Sequence, residues 1–234
     1  MHRRRPAGSC HEPTRPRPGC CTRHPCRRRS AGSTRRLHRP ACARAGRSGR
    51  PTVAAWEVLV AGFGGQGVLF LGEVLARAAV HEGREVTWLP AYGPEQRGGT
   101  AHCTVVIDDA PIASPVVADP AILIAMNRPS LDRFEAQVRP GGVVVCDVTV
   151  TGRLPARADV TALGVPATAI AVALGAPRAA NMVLLGALWA VRPLCGLEAI
   201  RTALEEMVPD PDARARNLQA LERGRREAAA LLAR

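Results

Sequence analysis

The chain contains no lysine, so all 32 of its basic residues are arginine. Fifteen of these arginines lie in residues 1–50 against a single acid, Glu12, which gives that stretch a net charge of +14. The other 17 arginines face 19 acids, a net charge of −2. The overall charge of +12 is therefore a property of the first fifty residues, and it does not predict a nucleic-acid-binding surface on the remainder. Without lysine, a P-loop ending in Gly-Lys is also excluded.

Residues 1–50 also lack isoleucine, valine and every aromatic residue, and they contain one leucine. Such a segment cannot bury enough apolar surface to offset the entropy lost on ordering it. We therefore predict that residues 1–52 are a disordered, arginine- and proline-rich extension. Residues 53–234 are predicted to form one domain, which is long enough for a hydrophobic core.

Three interpretations of this extension stay open. Its five cysteines suggest a zinc site, but their spacings match neither Cys-x-x-Cys nor a histidine pair at ligand spacing. A nucleic-acid tail or an arginine-rich transit peptide is the second interpretation, although the many prolines and the lack of an amphipathic face disfavour a transit peptide. The third is that these residues are not part of the working protein. Their composition is typical of GC-rich coding DNA, and Val53 offers a GTG start codon.

Long apolar runs are absent as well. There is no apolar run of about 18 residues and no secretory signal, so neither membrane spanning nor export is indicated. The three cysteines after residue 53 are Cys103, Cys146 and Cys195, and they are far apart in apolar stretches. We expect them to be reduced core residues of a cytoplasmic protein.

Strand and helix patterns alternate along residues 53–234. Apolar runs predict strands at 57–61, 85–90, 101–107, 121–126, 143–146 and near 160–163, with Asp108-Asp109 turning the third strand into a short hairpin that ends near Ser114-Pro115. Helices are predicted at 67–81, from near 129 after an Asn127 cap, at about 166–174, at 181–191, at 197–207 and from about 213. The strands are nearly all apolar on both faces and are separated by helical crossovers. The pattern therefore predicts an α/β, Rossmann-like fold with a mostly parallel sheet, helices on both faces and a helical C-terminal part.

Two glycine-rich loops are the most informative feature of this domain. The first, Gly62-Phe63-Gly64-Gly65-Gln66-Gly67, follows the first strand and opens the first helix. In that context a glycine loop presents backbone N–H groups to an anion. The second loop follows the second strand and reads Tyr92-Gly93-Pro94-Glu95-Gln96-Arg97-Gly98-Gly99-Thr100. Because each loop follows one of two successive strands, we expect the two loops to meet at the same edge of the sheet.

Dinucleotide binding is one hypothesis for the first loop, since Gly62, Gly64 and Gly67 match the G-x-G-x-x-G spacing. That site also needs an acid at the end of the second strand to bind the ribose. Here Glu82 and Glu85 precede the strand, and the strand ends without an acid, so NAD or FAD binding is disfavoured. Two other hypotheses stay open. The glycines either only allow close packing, or they contact a phosphate-bearing ligand or a partner subunit.

The sequence contains few other motifs that indicate catalysis or cofactor binding. There is no G-x-S-x-G, no H-E-x-x-H, no Cys-x-x-Cys for an iron–sulfur cluster and no Gly-Asp-Gly of the kind that anchors the metal of thiamine diphosphate. Glu95 and Arg97 form either a surface ion pair or a contact to a ligand or partner. His102 is expected to be a packed or hydrogen-bonded histidine rather than a catalyst.

Five motifs in this order resemble the gamma subunit, or gamma domain, of the 2-oxoacid:ferredoxin oxidoreductases. They are the first glycine loop, the Tyr92–Thr100 loop, Cys103-Thr104-Val105-Val106-Ile107, Ser114-Pro115 and Met126-Asn127-x-Pro129-Ser130-Leu131. The resemblance covers residues 56–234 and includes Pro140-Gly141-Gly142, Asn181-Met182 and Asn217. It does not extend to the arginine-rich first fifty residues.

The resemblance implies a complex that oxidatively decarboxylates a 2-oxoacid such as pyruvate, 2-oxoisovalerate or 2-oxoglutarate, with CoA as co-substrate and ferredoxin as electron acceptor. It implies that this chain is not active alone and binds no cofactor or metal by itself. Thiamine diphosphate and iron–sulfur clusters are expected on partner alpha and beta subunits, and a ferredoxin-like delta subunit is a further candidate partner. Neither nucleic acid nor membrane is an expected partner.

The resemblance associates the gamma domain with the CoA side of the reaction and yields no catalytic residue on this chain. The candidate cofactor-binding residues lie in the two loops, and they are Gly62, Gly64, Gly65, Gln66, Gly67, Tyr92, Gly93, Glu95, Arg97, Gly98, Gly99 and Thr100. Two other functions stay open beside this one. The chain is alternatively a free-standing, Rossmann-type nucleotide-binding oxidoreductase, or a purely scaffolding subunit.

Overall fold

The structure, a computed structural model, describes residues 55–93 and 98–233. The predicted extension of residues 1–52 therefore lies outside the described residues. The strands are β1 (Trp56–Phe63), β2 (Glu85–Tyr92), β3 (Thr100–Asp108), β4 (Ile122–Ala125), β5 (Val143–Asp147) and β6 (Thr161–Val165). The helices are α1 (Val68–His81), α2 (Arg128–Phe134), α3 (Val148–Thr151), α4 (Ala167–Ala173), α5 (Ala180–Val191), α6 (Leu197–Met207) and α7 (Pro211–Leu232), with short 3-10 turns at Glu135–Gln137 and Pro177–Ala179.

The six strands form one sheet in the order β2-β3-β1-β4-β5-β6. The pairings of β1 with β4, β4 with β5 and β5 with β6 are parallel, whereas β3 runs antiparallel to both of its neighbours, β1 and β2. The predicted α/β fold with a mostly parallel sheet and a helical C-terminal part is confirmed. Because β1 and β2 are both antiparallel to β3, they point in the same direction, and their carboxyl ends lie at the same edge of the sheet.

The predicted hairpin after Asp108 is wrong. Residues 109–121 contain no strand, and β3 instead forms a hairpin with the preceding strand β2. The physical reason lies in Pro111, Pro115 and Pro120, which remove three backbone donors from a segment of thirteen residues.

The core lies on both faces of the sheet, as predicted. On one face, alternate residues of the strands such as Val58 and Val60 pack with α1 and with α4 to α7. On the other face, Leu59 and Ala61 pack with residues of α2. This alternation follows from the period of two along a strand.

Within the described residues, no helix combines the length and the apolar character that are needed to cross a lipid bilayer. The three cysteines of the domain, Cys103, Cys146 and Cys195, are unpaired and buried, which confirms the prediction that they are core residues. Burial raises the pKa of these thiols to about 12, about 11 and about 12 respectively. They are therefore poor nucleophiles near neutral pH.

Candidate functional site

The two glycine-rich loops meet at the carboxyl edge of the sheet, as expected. The Gly64 amide donates to the Gly99 carbonyl over 2.9 Å, and the Gly98 amide donates to the Gly64 carbonyl over 3.3 Å. Gly93 closes the second loop by donating to the Thr100 carbonyl over 3.2 Å. Glu95 and Arg97, which belong to the same loop, lie outside the described residues.

A cavity of about 530 Å³ lies beside these loops and the start of α1. Gly64, Gly65 and Gly67 form its glycine wall, and Tyr92, which is 66% exposed, stands at its rim. The rest of the described lining is apolar. Phe63 belongs to the first glycine loop, whereas Val68, Leu69, Phe70 and Ala101 were not foreseen from the sequence. The sequence did offer a signal for residues 68–70 of this lining, because they immediately follow the glycine loop.

The amino terminus of α1 lies beside this cavity, and its first backbone amides have no acceptor among the described residues. The first hydrogen bond of the helix runs from the Leu71 amide to the Gly67 carbonyl, so the amides of residues 68–70 have no acceptor within the helix. No side chain caps the helix, and its first turn holds no acid. Free N–H groups together with the positive end of the helix dipole favour an anionic group at this place.

Gly67 and Gly62 are needed for the shape of the loop. Gly67 adopts φ 79°, a left-handed conformation that favours glycine, and a Cβ there would lie 2.2 Å from the Asn181 amide nitrogen. A Cβ on the buried Gly62 would lie 2.8 Å from both Gln66 Oε1 and Val68 Cγ2. These two glycines therefore allow the loop to pack closely against Asn181, Gln66 and Val68. Gly65, at φ 100° and with open space where a Cβ would be, is the glycine that remains accessible.

A second, smaller cavity of about 220 Å³ begins on the other side of Gly65, at the ends of β4 and β5. Its two charged lining residues are Asp147 and Arg178, and Gln66, Thr168 and Asn181 add polar groups. Asp147 is only 2% exposed, and its carboxylate accepts hydrogen bonds from the Thr149 amide and from the amide and hydroxyl of Thr168. The carboxylate oxygens of Asp147 thus already accept hydrogen bonds from within the protein, whereas Arg178 is exposed.

Sequence reasoning did not identify Asp147, Thr168 or Arg178 as part of this region. The position of Asp147 at the carboxyl end of a buried strand was a usable signal, because ligands of open α/β sheets bind at that edge. Arg178 gave no such signal, since it lies in a short 3-10 turn that the sequence pattern did not predict.

Two further residues near the site are Thr100, which was a candidate residue, and His102, which was expected to have a packing role. Thr100 is the first residue of β3 and pairs with Phe63, so it joins the two loops to the sheet. His102 packs its ring on Phe134, with the ring centroids 5.4 Å apart. Burial and the nearby Arg133 lower the pKa of His102 below its usual value, which keeps the imidazole neutral at pH 7. This geometry agrees with the expectation of a packed histidine.

A larger groove of about 630 Å³ lies between α4 and α7, away from both glycine loops. Its floor is apolar, and the charge of its Glu222 is paired with Arg225 and Arg226 of the same helix. Paired charges on a helix surface are ordinary solvated groups, so the glycine-loop cavity remains the candidate site. Within residues 55–93 and 98–233, no three His, Cys, Asp or Glu side chains cluster as metal ligands would.

Residues 57–227 match the family model described as pyruvate ferredoxin/flavodoxin oxidoreductase. The chain belongs to this oxidoreductase family. The match covers the sheet except Trp56, both glycine loops and most of α7, and it begins after the arginine-rich segment.

Among curated members of the pyruvate ferredoxin/flavodoxin oxidoreductase family, the ketoisovalerate oxidoreductase subunit VorA of Methanothermobacter marburgensis is 52% identical over 109 residues. The aligned part is 47% of this chain and 23% of VorA, and the chain spans about half the length of several other curated relatives. The gamma subunit of a keto/oxoacid ferredoxin oxidoreductase from Geobacter sulfurreducens PCA superposes with a TM-score of 0.65 and 28% identity, covering 75% of this chain and 99% of the subunit.

A 2-oxoglutarate:ferredoxin oxidoreductase from Magnetococcus marinus, solved with 2-oxoglutarate, coenzyme A and succinyl-CoA bound, has a TM-score of 0.69 at 24% identity. The match covers 75% of this chain and 31% of that chain. At this identity the likeness shows a shared fold.

Proposed function

We propose that this chain is the gamma component of a 2-oxoacid:ferredoxin oxidoreductase complex. The reaction is 2-oxoacid + CoA + two oxidised ferredoxins → acyl-CoA + CO₂ + two reduced ferredoxins + H⁺. Membership in the oxidoreductase family and the similarity to almost the full length of a gamma subunit support this role. Thiamine diphosphate and the iron–sulfur clusters belong to alpha and beta partner subunits in this proposal, and ferredoxin, or a ferredoxin-like delta subunit, takes the electrons.

The contribution of this chain is to bind a phosphate-bearing part of CoA at the glycine-loop cavity. The observation that carries this assignment is the start of α1, where three backbone N–H groups without helical acceptors face a cavity of about 530 Å³. An anionic phosphate is the group that such a helix end binds. The apolar lining from Phe63, Leu69 and Phe70 suits the uncharged part of the same ligand.

The chain's own residues bind and orient CoA in this proposal and do not carry the bond-breaking steps. The cysteines of the domain are buried with raised pKa values, and His102 is packed on Phe134, so none of these side chains is prepared for nucleophilic or acid–base work. Cytoplasmic localisation belongs to the same proposal, because the complex needs reduced clusters and soluble ferredoxin.

Substitution of Gly65 tests the binding role. Gly65→Ala adds a side chain at φ 100°, where L residues are strained, at the accessible point of the loop. In the complex assembled with its partner subunits, we expect the KM for CoA to rise about tenfold, equivalent to about 1.4 kcal/mol, with the KM for the 2-oxoacid unchanged. Steady-state ferredoxin reduction measures both constants.

Gly83→Ala is the matched control. Gly83 has φ 72° and no atom within 4 Å of the added Cβ, but it lies at the opposite end of α1. Its substitution introduces similar backbone strain without reaching the cavity. If Gly65→Ala leaves the KM for CoA at the Gly83→Ala value, the loop does not bind CoA, and the chain is a scaffolding subunit.

A further inference from the structure

One side chain, Gln66, connects the ends of two parallel strands beneath the glycine loop. Its Oε1 accepts hydrogen bonds from the Phe63 amide over 2.7 Å and from Asn127 Nδ2 over 3.0 Å. Its Nε2 donates to the Met126 carbonyl over 3.1 Å. Gln66 thus joins the loop after β1 to the residues that follow β4.

The partners of Gln66 have little freedom to move. Asn127 is 1% exposed, and its Oδ1 caps α2 by accepting from the Ser130 amide over 2.8 Å. Because that oxygen is engaged, the Nδ2 of Asn127 is directed to Gln66. On the other side of the loop Asn181, 4% exposed at the start of α5, donates to the Gly67 carbonyl over 3.2 Å. The loop is therefore held by hydrogen bonds to residues at the end of β4, at the start of α2 and at the start of α5.

These contacts require an amide side chain of the length of glutamine. Two donors converge on Oε1 and one carbonyl faces Nε2, so the side chain must both accept and donate. A glutamate keeps the two acceptor contacts but brings a carboxylate oxygen against the Met126 carbonyl. A methionine fills similar space and makes none of the three hydrogen bonds, which leaves the Phe63 amide and the Asn127 amide without this acceptor.

We infer that Gln66 is a positioning residue that orders the glycine loop so that Gly65 and the first amides of α1 face the ligand. The identity of the ligand as CoA rests on the proposed function, whereas the ordering of the loop does not. The geometry separates two roles within one motif. Gly65 leaves space for the ligand to approach the loop, whereas Gln66 acts indirectly by fixing the backbone of the loop.

The test compares Gln66→Met with wild type in the assembled complex. Hydrogen–deuterium exchange should become about tenfold faster in peptides covering residues 63–71, with little change in peptides from α6 and α7. The KM for CoA should rise about tenfold while kcat and the KM for the 2-oxoacid stay within about twofold, because only the orientation of the CoA-binding amides changes. Gln137→Met is the matched control, since Gln137 is an exposed glutamine in a 3-10 turn.

Gln66→Glu adds a pH-dependent readout that a merely structural role would not produce. A carboxylate beside the Met126 carbonyl is disfavoured, whereas the protonated acid can donate to that carbonyl and restore the contact. We therefore expect the KM for CoA of Gln66→Glu to approach the wild-type value as the pH falls, and the KM of Gln66→Met to show no such recovery.

Two results would overturn the inference. One is a Gln66→Met complex whose loop exchange and KM for CoA equal those of wild type. The other is a uniform loss, in which kcat and both KM values change together and exchange increases throughout the domain. Failure of the proposed function has a different signature: Gly65→Ala leaves the KM for CoA unchanged, while Gln66→Met still accelerates exchange in the loop.

Discussion

Gly186 and Gly224 set the distance between α5 and α7. A Cβ on Gly186 would lie 1.9 Å from the Leu221 carbonyl oxygen, and a Cβ on Gly224 would lie 1.9 Å from the Val183 carbonyl oxygen. In both cases the obstacle is backbone, which cannot rotate away as a side chain can. The two helices therefore pack with their backbones in contact, and this contact holds α7 over the buried α5.

Gly224→Ala is expected to lower the free energy of unfolding by about 1–3 kcal/mol, the usual cost of forcing extra atoms into a packed core. Alanine has the higher helix propensity by about 1 kcal/mol, so a change driven by propensity alone would have the opposite sign. Urea denaturation followed by circular dichroism measures the difference.

Ala229→Gly provides the control for Gly224→Ala, because Ala229 lies on the exposed face of the same helix. It should lower stability by about 1 kcal/mol through propensity alone. A Gly224→Ala protein that is more stable than wild type would contradict the close helix contact and would show that α5 and α7 can separate at no cost.

At the scale of elements, Asp147 at the end of β5 accepts hydrogen bonds from amides at the starts of two helices. Its Oδ1 accepts from the Thr149 amide at the start of α3, and its Oδ2 accepts from the Thr168 amide near the start of α4, each over 3.0 Å. The side chain is nearly completely buried. A single carboxylate thus fixes how β5, α3 and α4 meet beside the second cavity.

Asp147→Asn should lower the free energy of unfolding by about 1–3 kcal/mol, because the amide group can accept at only one of the two positions and leaves a buried donor unpaired. Asp210→Asn is the matched control. Asp210 caps α7 through the Asp212 amide but is exposed, and asparagine caps a helix as well as aspartate does. We expect the control to stay within about 0.5 kcal/mol of wild type. Equal effects of the two substitutions in urea denaturation would contradict the double-capping role.

The elements that sequence could predict are those whose signal is local. α6 is predicted at its observed bounds because its apolar residues recur with helical period, and the Asn127 cap is confirmed because a cap is read from adjacent residues. The position of β3 between β2 and β1 was not predicted, because strand order depends on contacts between segments that are distant in sequence. The glycines of the site were identified from such a local signal, whereas the grouping of Phe70 and Asp147 around them was not, because it depends on contacts between segments that are distant in sequence.

At the scale of the whole molecule, the excess of positive charge lies outside the residues that the structure describes. Residues 1–50 carry +14, whereas the remainder, with its net charge of −2, contains every described strand and helix. β1 starts at Trp56 and lies in the interior of the sheet between β3 and β4, and the family match begins at residue 57. The six strands of the described sheet all lie within residues 56–165.

For the proposed complex, we accordingly predict that a chain starting at Val53 assembles with the partner subunits as the full chain does, and that the two complexes reduce ferredoxin at the same rate. The reason is compositional, since residues 1–50 have one leucine and no isoleucine, valine or aromatic side chain with which to contribute to a packed interface. Co-purification of the partner subunits and the rate of ferredoxin reduction at two ionic strengths measure the effect, because a contact made by fifteen arginines would weaken steeply with salt. Mass spectrometry of the native amino terminus is the independent check. If truncation abolishes assembly at low salt, the extension binds an acidic surface of a partner, and the gamma component has a second, electrostatic contact beside its folded domain.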